Sequence, residues 1–157
     1  LPETKAPEKL EGSRYLVLDG VQDPGNVGTI WRTADALGAD GVILVHGCAD
    51  PFSHKVVRAS MGAVFRNPPV QTTWEQVKEA CAKADIPVAV TALSDRAEDI
   101  RTAALSKMAV VIGSEGQGVR KEVLESAQAE LIIPMNANCE SLNAAIAAAI
   151  VMWQMKG

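Results

Sequence analysis

The sequence predicts an α/β domain, with a mostly parallel sheet covered by helices on both faces. Short apolar runs typical of buried strands alternate along the chain with segments of helical spacing. Hydrophobic residues make up 48% and charged residues 22% of the 157 residues, which are values of a globular domain. Aromatic residues are only 4% of the chain, so the predicted core is aliphatic.

The first part of the chain contains two predicted strands and a helix between them. "RYLVLD" (Arg14–Asp19) is an apolar run that ends in turn residues, and "GVILV" (Gly41–Val45) has the composition of a fully buried strand. Asn26 is a candidate N-cap and Gly38 a candidate C-cap for the helix. The residues that define its apolar stripe are Val27, Ile30, Ala34 and Leu37.

The middle of the chain predicts two further helices. "SHKVVRASMG" (53–62) is compatible with a short helix, and "AVFRNPPVQ" (63–71) with a brief strand or a loop. "WEQVKEACAKA" (74–84) has the alternation of a surface helix. These segments lead from the second predicted strand to the third.

The last part of the chain predicts three more strands and two helices. The strands are "IPVAVTAL" (86–93), "AVVIGS" (109–114) and "AELIIPM" (129–135). A short helix is predicted over "RKEVLESA" (120–127), and a final alanine-rich helix runs from about Leu142 to Met155. Strands that alternate with helices in this way favour parallel pairing.

Composition narrows the class of protein. The formal net charge of −4 argues against a wholly nucleic-acid-binding surface but permits a local basic patch. Cys48, Cys81 and Cys139 form no C-x-x-C pair, which predicts free thiols in a reducing cytoplasm. With only two histidines, we expect no histidine-based metal site. The apolar stretch Ala144–Trp153 is shorter than the roughly 20 residues that span a bilayer, so we expect no membrane partner.

The first thirteen residues differ from the rest. "LPETKAPEKLEGS" (1–13) is rich in proline, glutamate and lysine and has no hydrophobic period, which predicts a linker. We therefore expect one domain over residues 14–157 and a further module before the linker.

Three predicted loops follow strands and carry unusual residues: Gly20–Asn26, Gly113–Gly118 and Pro134–Ser141. Ligands of parallel sheets lie at the carboxyl ends of the strands, so we expect these loops to form a site. Gly25 and Gly28 are spaced as Gly-x-x-Gly, and we expect them to shape a turn rather than a dinucleotide cradle. No Gly-Lys-Ser/Thr follows the second loop, which excludes a P-loop.

The candidate side chains also have structural explanations. Arg32 lies opposite the apolar stripe of its helix and is either simply solvated or offers its donors to a phosphate. Glu115 is compatible with a helix N-terminal charge, and Ser141 with an N-cap. Residues 53–67 contain Lys55, Arg58 and Arg66 but no acid, which indicates either a solvated face or a phosphate-binding patch.

Together these stretches resemble the SpoU family of RNA 2′-O-ribose methyltransferases, within the SPOUT class. The three family motifs correspond in order to "DPGNVGTIWRTADALGADGVIL", "VVIGSEGQGV" and "IPMNANCESLNAAIAAAI", and "RASMGAVFRNPPV" is a fourth local match. The resemblance covers Arg14 to Met155. It implies a C-terminal trefoil knot, a homodimer with the last helix and the Arg32 helix near its interface, and often an N-terminal RNA-binding domain.

The resemblance also implies a reaction and its residues. S-adenosylmethionine (AdoMet) would bind bent in the knot and methylate a ribose 2′-hydroxyl in ribosomal RNA or tRNA. The implied cofactor contacts are Leu93, Gly113, Glu115, Ile133, Met135, Ser141 and Leu142. The implied catalytic residues are Arg32, Asn26, Ser141, Asn143 and Glu115. The expected RNA contacts are Arg32, Lys55, Arg58 and Arg66.

The role of Arg32 has two alternatives. An arginine side chain keeps its proton, which makes it a poor general base. We therefore expect Arg32 to hold an RNA phosphate and to stabilise developing alkoxide charge, with base catalysis as the alternative.

Two other functions are weighed against this one. A Rossmann-type protein acting on a small molecule would need a regular glycine fingerprint and an acid about 20 residues further on, and the first loop lacks the fingerprint. A non-catalytic RNA-binding relative is disfavoured because the residues implied in catalysis are all present in the sequence.

Overall fold

The computed structural model describes residues 10–92, 94–114, 117–136 and 142–156. Its strands are β1 (Arg14–Asp19), β2 (Gly41–Leu44), β3 (Val70–Gln71), β4 (Val88–Thr91), β5 (Glu98–Asp99), β6 (Met108–Gly113) and β7 (Ala129–Ile132). Its helices are α1 (Pro24–Leu37), α2 (His54–Ser60), α3 (Ala63–Arg66), α4 (Trp74–Lys83), α5 (Lys121–Ser126) and α6 (Ala144–Lys156).

The described strands form one sheet in the order β3-β2-β1-β6-β4-β7-β5. Every neighbouring pair in this order is parallel, which confirms the predicted parallel sheet. The carboxyl ends of all these strands therefore lie at the same edge.

Helices cover both faces of the sheet, as predicted. Side chains alternate along each strand, so each strand contributes apolar residues to the helical layers on both sides. On one face Leu16 and Leu18 of β1 pack with α1, α2, α3 and α6. On the other face Tyr15 and Val17 of the same strand pack with α4 and α5. Apolar residues on both sides explain why the strands read as continuous apolar runs.

The start of α1 differs from the prediction. Pro24 occupies the first turn, where its missing N–H leaves no helical hydrogen bond unmade. The Asp23 side chain accepts a hydrogen bond from the Asn26 backbone N–H at 3.1 Å. Asp23 is therefore the N-cap and the assignment to Asn26 was wrong, whereas Gly38 is the C-cap with a φ of 74°, as predicted.

The glycines of the first motif also differ from the prediction. Gly25 and Gly28 lie inside α1 and do not form the expected turn. A Cβ at Gly28 would lie 2.7 Å from the Val56 carbonyl oxygen and 2.5 Å from the Ala59 Cβ. Gly28 therefore permits α1 and α2 to pack at very short distance.

Residues 63–71 form both a helix and a strand. The prediction of a brief strand or loop is correct for β3 but wrong for α3. The indole N–H of the buried Trp31 donates to the Asn67 carbonyl at 2.8 Å, just after α3 ends. This contact with α1 stabilises a turn that local spacing did not reveal.

Two predictions concern residues outside the described ranges. Most of the predicted linker is residues 1–9, and the connection from β7 to α6 includes residues 137–141. The linker and the trefoil knot therefore stay predictions.

Candidate functional site

The first two motif loops leave the sheet side by side. Strands β1 and β6 are paired along their length, and Asp19 at the end of β1 is in register with Gly113 at the end of β6. Strand β7 lies two positions from β6, across β4, so the third loop starts at the same edge. The three loops thus begin at the same edge of the sheet, as expected.

A cavity of about 500 Å³ lies at this edge. It is bounded by the ends of β4, β6 and β7, by the chain between β6 and α5, and by the start of α6. Four of the predicted cofactor residues line it: Gly113, Ile133, Met135 and Leu142. The other three, Leu93, Glu115 and Ser141, lie outside the described residues.

Gly113 is required by the path of the chain itself. A Cβ at Gly113 would lie 2.1 Å from the carbonyl carbon of Gly118 and 2.3 Å from the Val119 nitrogen. The Gly118 N–H donates to the Ser114 carbonyl at 2.8 Å, which folds the loop back on itself. Gly113 was expected to make room for a ligand. The structure shows a second reason for a glycine here, because a side chain would overlap the main chain of the returning loop.

A buried ion pair, which sequence reasoning missed, closes this loop. The Asp19 carboxylate is fully buried, and it accepts hydrogen bonds from the Arg120 backbone N–H and Nε, each at 2.8 Å. Arg120 also pairs with Glu122 at 2.9 Å. Two charge-assisted bonds thus fix the end of the second loop to the end of β1. The sequence offered one signal for this pair, which is that Asp19 is an acid at the end of an otherwise apolar strand.

Asn26 and Asn143 meet across the first and third motifs. The Asn143 Nδ2 donates to the Asn26 Oδ1 at 3.1 Å. The Asn143 Oδ1 accepts from the backbone N–H groups of Ala145 at 2.8 Å and Ile146 at 3.2 Å. Since α6 begins at Ala144, these bonds make Asn143 a cap of its first turn, whereas the predicted cap Ser141 lies outside the described residues.

Arg32 is exposed on α1 and is not joined to this pair of asparagines. It lies six residues after Asn26, which is about 9 Å along the axis and about 120° around it. Among the described residues, none hydrogen-bonds or ion-pairs with its guanidinium. The contacts of a single chain bring Asn26 and Asn143 together but leave Arg32 pointing to solvent.

The predicted RNA-binding cations lie in the same helical layer as Arg32. Lys55 and Arg58 are exposed on α2, which packs closely against α1. Arg66 instead forms an ion pair with Asp35 of α1 at 2.8 Å. Much of the charge of Arg66 is therefore compensated, and Lys55 and Arg58 are the freer cations.

The described ranges contain no helix that is both long and apolar enough to cross a membrane. In the same part of the chain, no three His, Cys, Asp or Glu side chains are grouped so that they could hold a metal ion.

The matching family model is that of the SpoU rRNA methylase family, and it matches residues 13–153. The chain is 38% identical to the 23S rRNA (guanosine(2553)-2′-O)-methyltransferase RlmP of Bacillus subtilis (strain 168), over 96% of this chain and 61% of that protein.

Two solved structures are similar as well. The AdoMet-bound rRNA methyltransferase from Sinorhizobium meliloti is 42% identical, with a TM-score of 0.86 over 94% of this chain and 57% of that one. The SpoU methyltransferase AviRb from Streptomyces viridochromogenes, solved with AdoMet, is 30% identical, with a TM-score of 0.84 over 96% and 62%.

The chain thus spans about three fifths of the length of these relatives. The family match extends from before β1 to α6 and includes all three motif loops. The chain belongs to the SpoU rRNA methylase family.

Proposed function

We propose that this chain transfers a methyl group from AdoMet to the 2′-hydroxyl of a ribose in structured RNA, either ribosomal RNA or tRNA. The cavity at the carboxyl ends of β4, β6 and β7 is the observation that carries the proposal. Relatives support the reaction, since the Bacillus subtilis protein is named as a 2′-O-methyltransferase and two solved neighbours hold AdoMet.

The chemistry of the cavity fits this cofactor. Its volume is that of an ordinary small-molecule site. Ile133, Met135 and Leu142 offer apolar surface for an adenosyl group. None of the described lining residues is a cation that would attract the phosphates of a dinucleotide; the charged one is Glu130, which pairs with Arg96 at 3.5 Å. We propose that Leu93, Gly113, Glu115 and Ser141 complete the binding site.

AdoMet, when bound, supplies a methyl group activated by its sulfonium. Transfer of that methyl group to a ribose oxygen would leave the carbon–sulfur electron pair on the sulfur as a neutral thioether, and the hydroxyl proton would pass to solvent water. The task of the protein is to position the ribose and to stabilise the developing negative charge. We propose that Arg32 supplies that charge stabilisation, with Asn26 and Asn143 orienting the sugar and with Glu115 and Ser141 beside them.

The helical layer of α1 and α2 supports an RNA-binding role. Arg32, Lys55 and Arg58 are exposed cations on adjacent, closely packed helices. We propose that they contact RNA phosphates, and that Arg66 contributes less because Asp35 compensates its charge.

The surface of α6 supports a homodimer. One side of α6 is buried in the core, while Ile146 and Trp153 on its other side are 53% and 62% exposed. A helix that is apolar all round is normally buried on all sides. We propose that a second copy covers this side, with α1 near the interface.

We also propose a reducing cytoplasmic location. Cys48 and Cys81 are free thiols, whereas Cys139 lies outside the described residues. Burial raises the pKa of both described thiols to about 11, which keeps them protonated and unreactive.

The proposal is tested by incubating the chain with total bacterial RNA and methyl-labelled AdoMet. We expect label in RNA as 2′-O-methylribose at discrete positions, mapped by resistance of those linkages to alkaline hydrolysis. Heat denaturation of the protein is the control. AdoMet binding by calorimetry without any methylated RNA would contradict the proposed reaction, and label in bases instead of riboses would contradict the proposed acceptor.

A further inference from the structure

We propose that the outer surface of α2 and α3 is a base-stacking site for unpaired nucleotides of the RNA substrate. This inference rests on the proposed function and specifies the substrate as a looped or single-stranded segment. The surface is defined by Phe52, Lys55, Arg58, Met61 and Phe65. Phe52, Met61 and Phe65 are 45%, 63% and 66% exposed, so three of the six exposed large hydrophobic residues of the described ranges lie between positions 52 and 65.

The charge of this surface indicates an anionic occupant. No acidic residue occurs between Asp50 and Glu75 in the sequence. Lys55 and Arg58 are spaced three apart, so the two cations share one side of α2, and Met61 follows at the C-terminal cap of the same helix. A polymer with negative phosphates and flat apolar bases matches cations interleaved with apolar side chains.

The ring of Phe65 is carried on a rigid support. The carboxylate of Asp35 in α1 accepts from Arg66 Nε at 2.9 Å and from Asn67 Nδ2 at 2.7 Å. Trp31, also in α1, holds the Asn67 carbonyl. Both residues that follow Phe65 are thus fixed to α1, and the ring is exposed without being on a loose loop. A pre-positioned ring loses little conformational entropy when a base stacks on it.

Met61 provides a second, independent observation. It is the C-cap of α2 with a φ of 55°, in the left-handed region that favours glycine. A long apolar side chain is therefore held in a strained backbone conformation and exposed to water. Strain of this kind clusters at binding sites, where the side chain has a role beyond packing.

These features select unpaired RNA over duplex RNA. In an A-form duplex the base faces are stacked within the helix and only the edges are accessible. Side chains such as Phe65 and Met61 can stack only on bases that are out of the helix. The inferred ligand is therefore a loop or single strand that flanks the methylated ribose.

The test compares binding of a single-stranded RNA oligonucleotide and of the same sequence in a duplex, across a series of salt concentrations. Phe65→Ala should weaken single-strand binding about 5- to 100-fold, because that is the range for loss of one stacked base. The slope of log affinity against log salt should not change, since no charge is removed. Duplex binding should be unaffected, and Phe65→Tyr should bind like the parent.

Lys55→Ala gives the contrasting signature. It should lower the magnitude of the slope of log affinity against log salt by about 0.7, the value for the loss of one phosphate contact to a single strand. Lys83→Ala is the matched control, because Lys83 is an exposed cation of α4 on the opposite face of the sheet and pairs with Glu79. It should change neither affinity nor slope.

Several outcomes would overturn the inference. One is that Phe65→Ala binds the single strand as tightly as the parent does. Another is that Phe65→Ala loses as much affinity for the duplex as for the single strand. A third is that Phe65→Ala changes the oligomeric state of the protein, which would make this surface an interface between copies. Methyl transfer by the parent to total RNA is measured in parallel. If the parent methylates RNA and Phe65→Ala does so with an unchanged KM for RNA, the stacking site alone is wrong. If the parent transfers no methyl group to RNA, the proposed function fails by a measurement independent of Phe65.

Discussion

The cavity and the helical layer of α1 to α3 use their side chains in opposite ways. The cavity is shaped by main chain, by Gly113, and by the buried Asp19–Arg120 pair that holds the end of the second loop. The helical layer presents exposed cations and apolar side chains outward, on a scaffold held by Trp31 and Asp35. This difference supports our proposal that one region serves a small cofactor and the other a large polyanion, and it leads us to expect that the two can be disabled separately.

The largest expected effect is that of Arg32→Ala on catalysis. Removing one group that stabilises charge in the transition state typically lowers turnover about 10²- to 10³-fold. Binding of AdoMet, measured by calorimetry, should stay within about twofold, because Arg32 is not among the residues lining the cavity. Arg32→Lys keeps the charge and should retain part of the activity. Loss of AdoMet binding in Arg32→Ala would contradict the separation of the two regions.

Asp19→Ala should have the largest effect on stability. It leaves Arg120 without its buried partner, and such losses cost about 3 kcal/mol when the remaining charge is partly solvated, as Arg120 is at 30% exposure. Denaturant unfolding measures the change, and AdoMet affinity should fall with it because the second loop is released. Asp99→Ala, which removes an exposed partner of Arg101, is the control and should change little. A stable Asp19→Ala with parental AdoMet affinity would show that this pair does not position the loop.

Gly113→Ala should affect the cavity by a different route. The added Cβ would overlap the main chain of Gly118, and overpacking of this kind costs about 1–3 kcal/mol. We expect a fall in Tm of about 2–10 °C and strongly reduced AdoMet binding. Gly38→Ala is the control. Gly38 has a positive φ and open space around it, so this variant introduces backbone strain without steric overlap. If the two variants bound AdoMet equally well, the tight return of the second loop would be irrelevant to the cavity.

Asn143→Ala should have the smallest effect on stability and should affect both regions. It removes the cap of α6, at a cost of about 1 kcal/mol, and the contact to Asn26. Thermal unfolding should show the small loss of stability, and methyl transfer should fall at saturating AdoMet. Asn143→Asp keeps an acceptor for the cap but no donor for Asn26, so it should recover stability and not turnover. Recovery of both by the aspartate would leave the asparagine pair without a role in catalysis.

Much of the fold was predictable because it depends on periodicity. Five apolar runs gave the longer strands, and the stripe of α1 identified its buried side. The strand β5 was missed because Glu98 and Asp99 have no apolar signal and pair only through their main chain with β7. The helix α3 was missed because Trp31 and Asp35, far away in sequence, stabilise it.

The candidate site was predictable in its location but only partly in its contacts. Gly113, Ile133, Met135 and Leu142 came from the resemblance, and the cavity brings them together. The Asp19–Arg120 pair joins residues about a hundred positions apart, so no local pattern could show that they are partners. The roles of all the predicted site residues stay predictions, and Leu93, Glu115 and Ser141 also lie outside the described residues.

The sequence alone determined the alternation of strands and helices, the parallel sheet and the family, since hydrophobic period and motif order are properties of the linear chain. Only the tertiary structure decided that Gly28 lets α1 and α2 pack closely, that Gly113 makes room for the return of its own loop, and that Asn143 joins the first motif to the third. The physical reason is that steric clearance and hydrogen bonding between distant segments depend on how the elements pack, and packing is not encoded in any single stretch of residues.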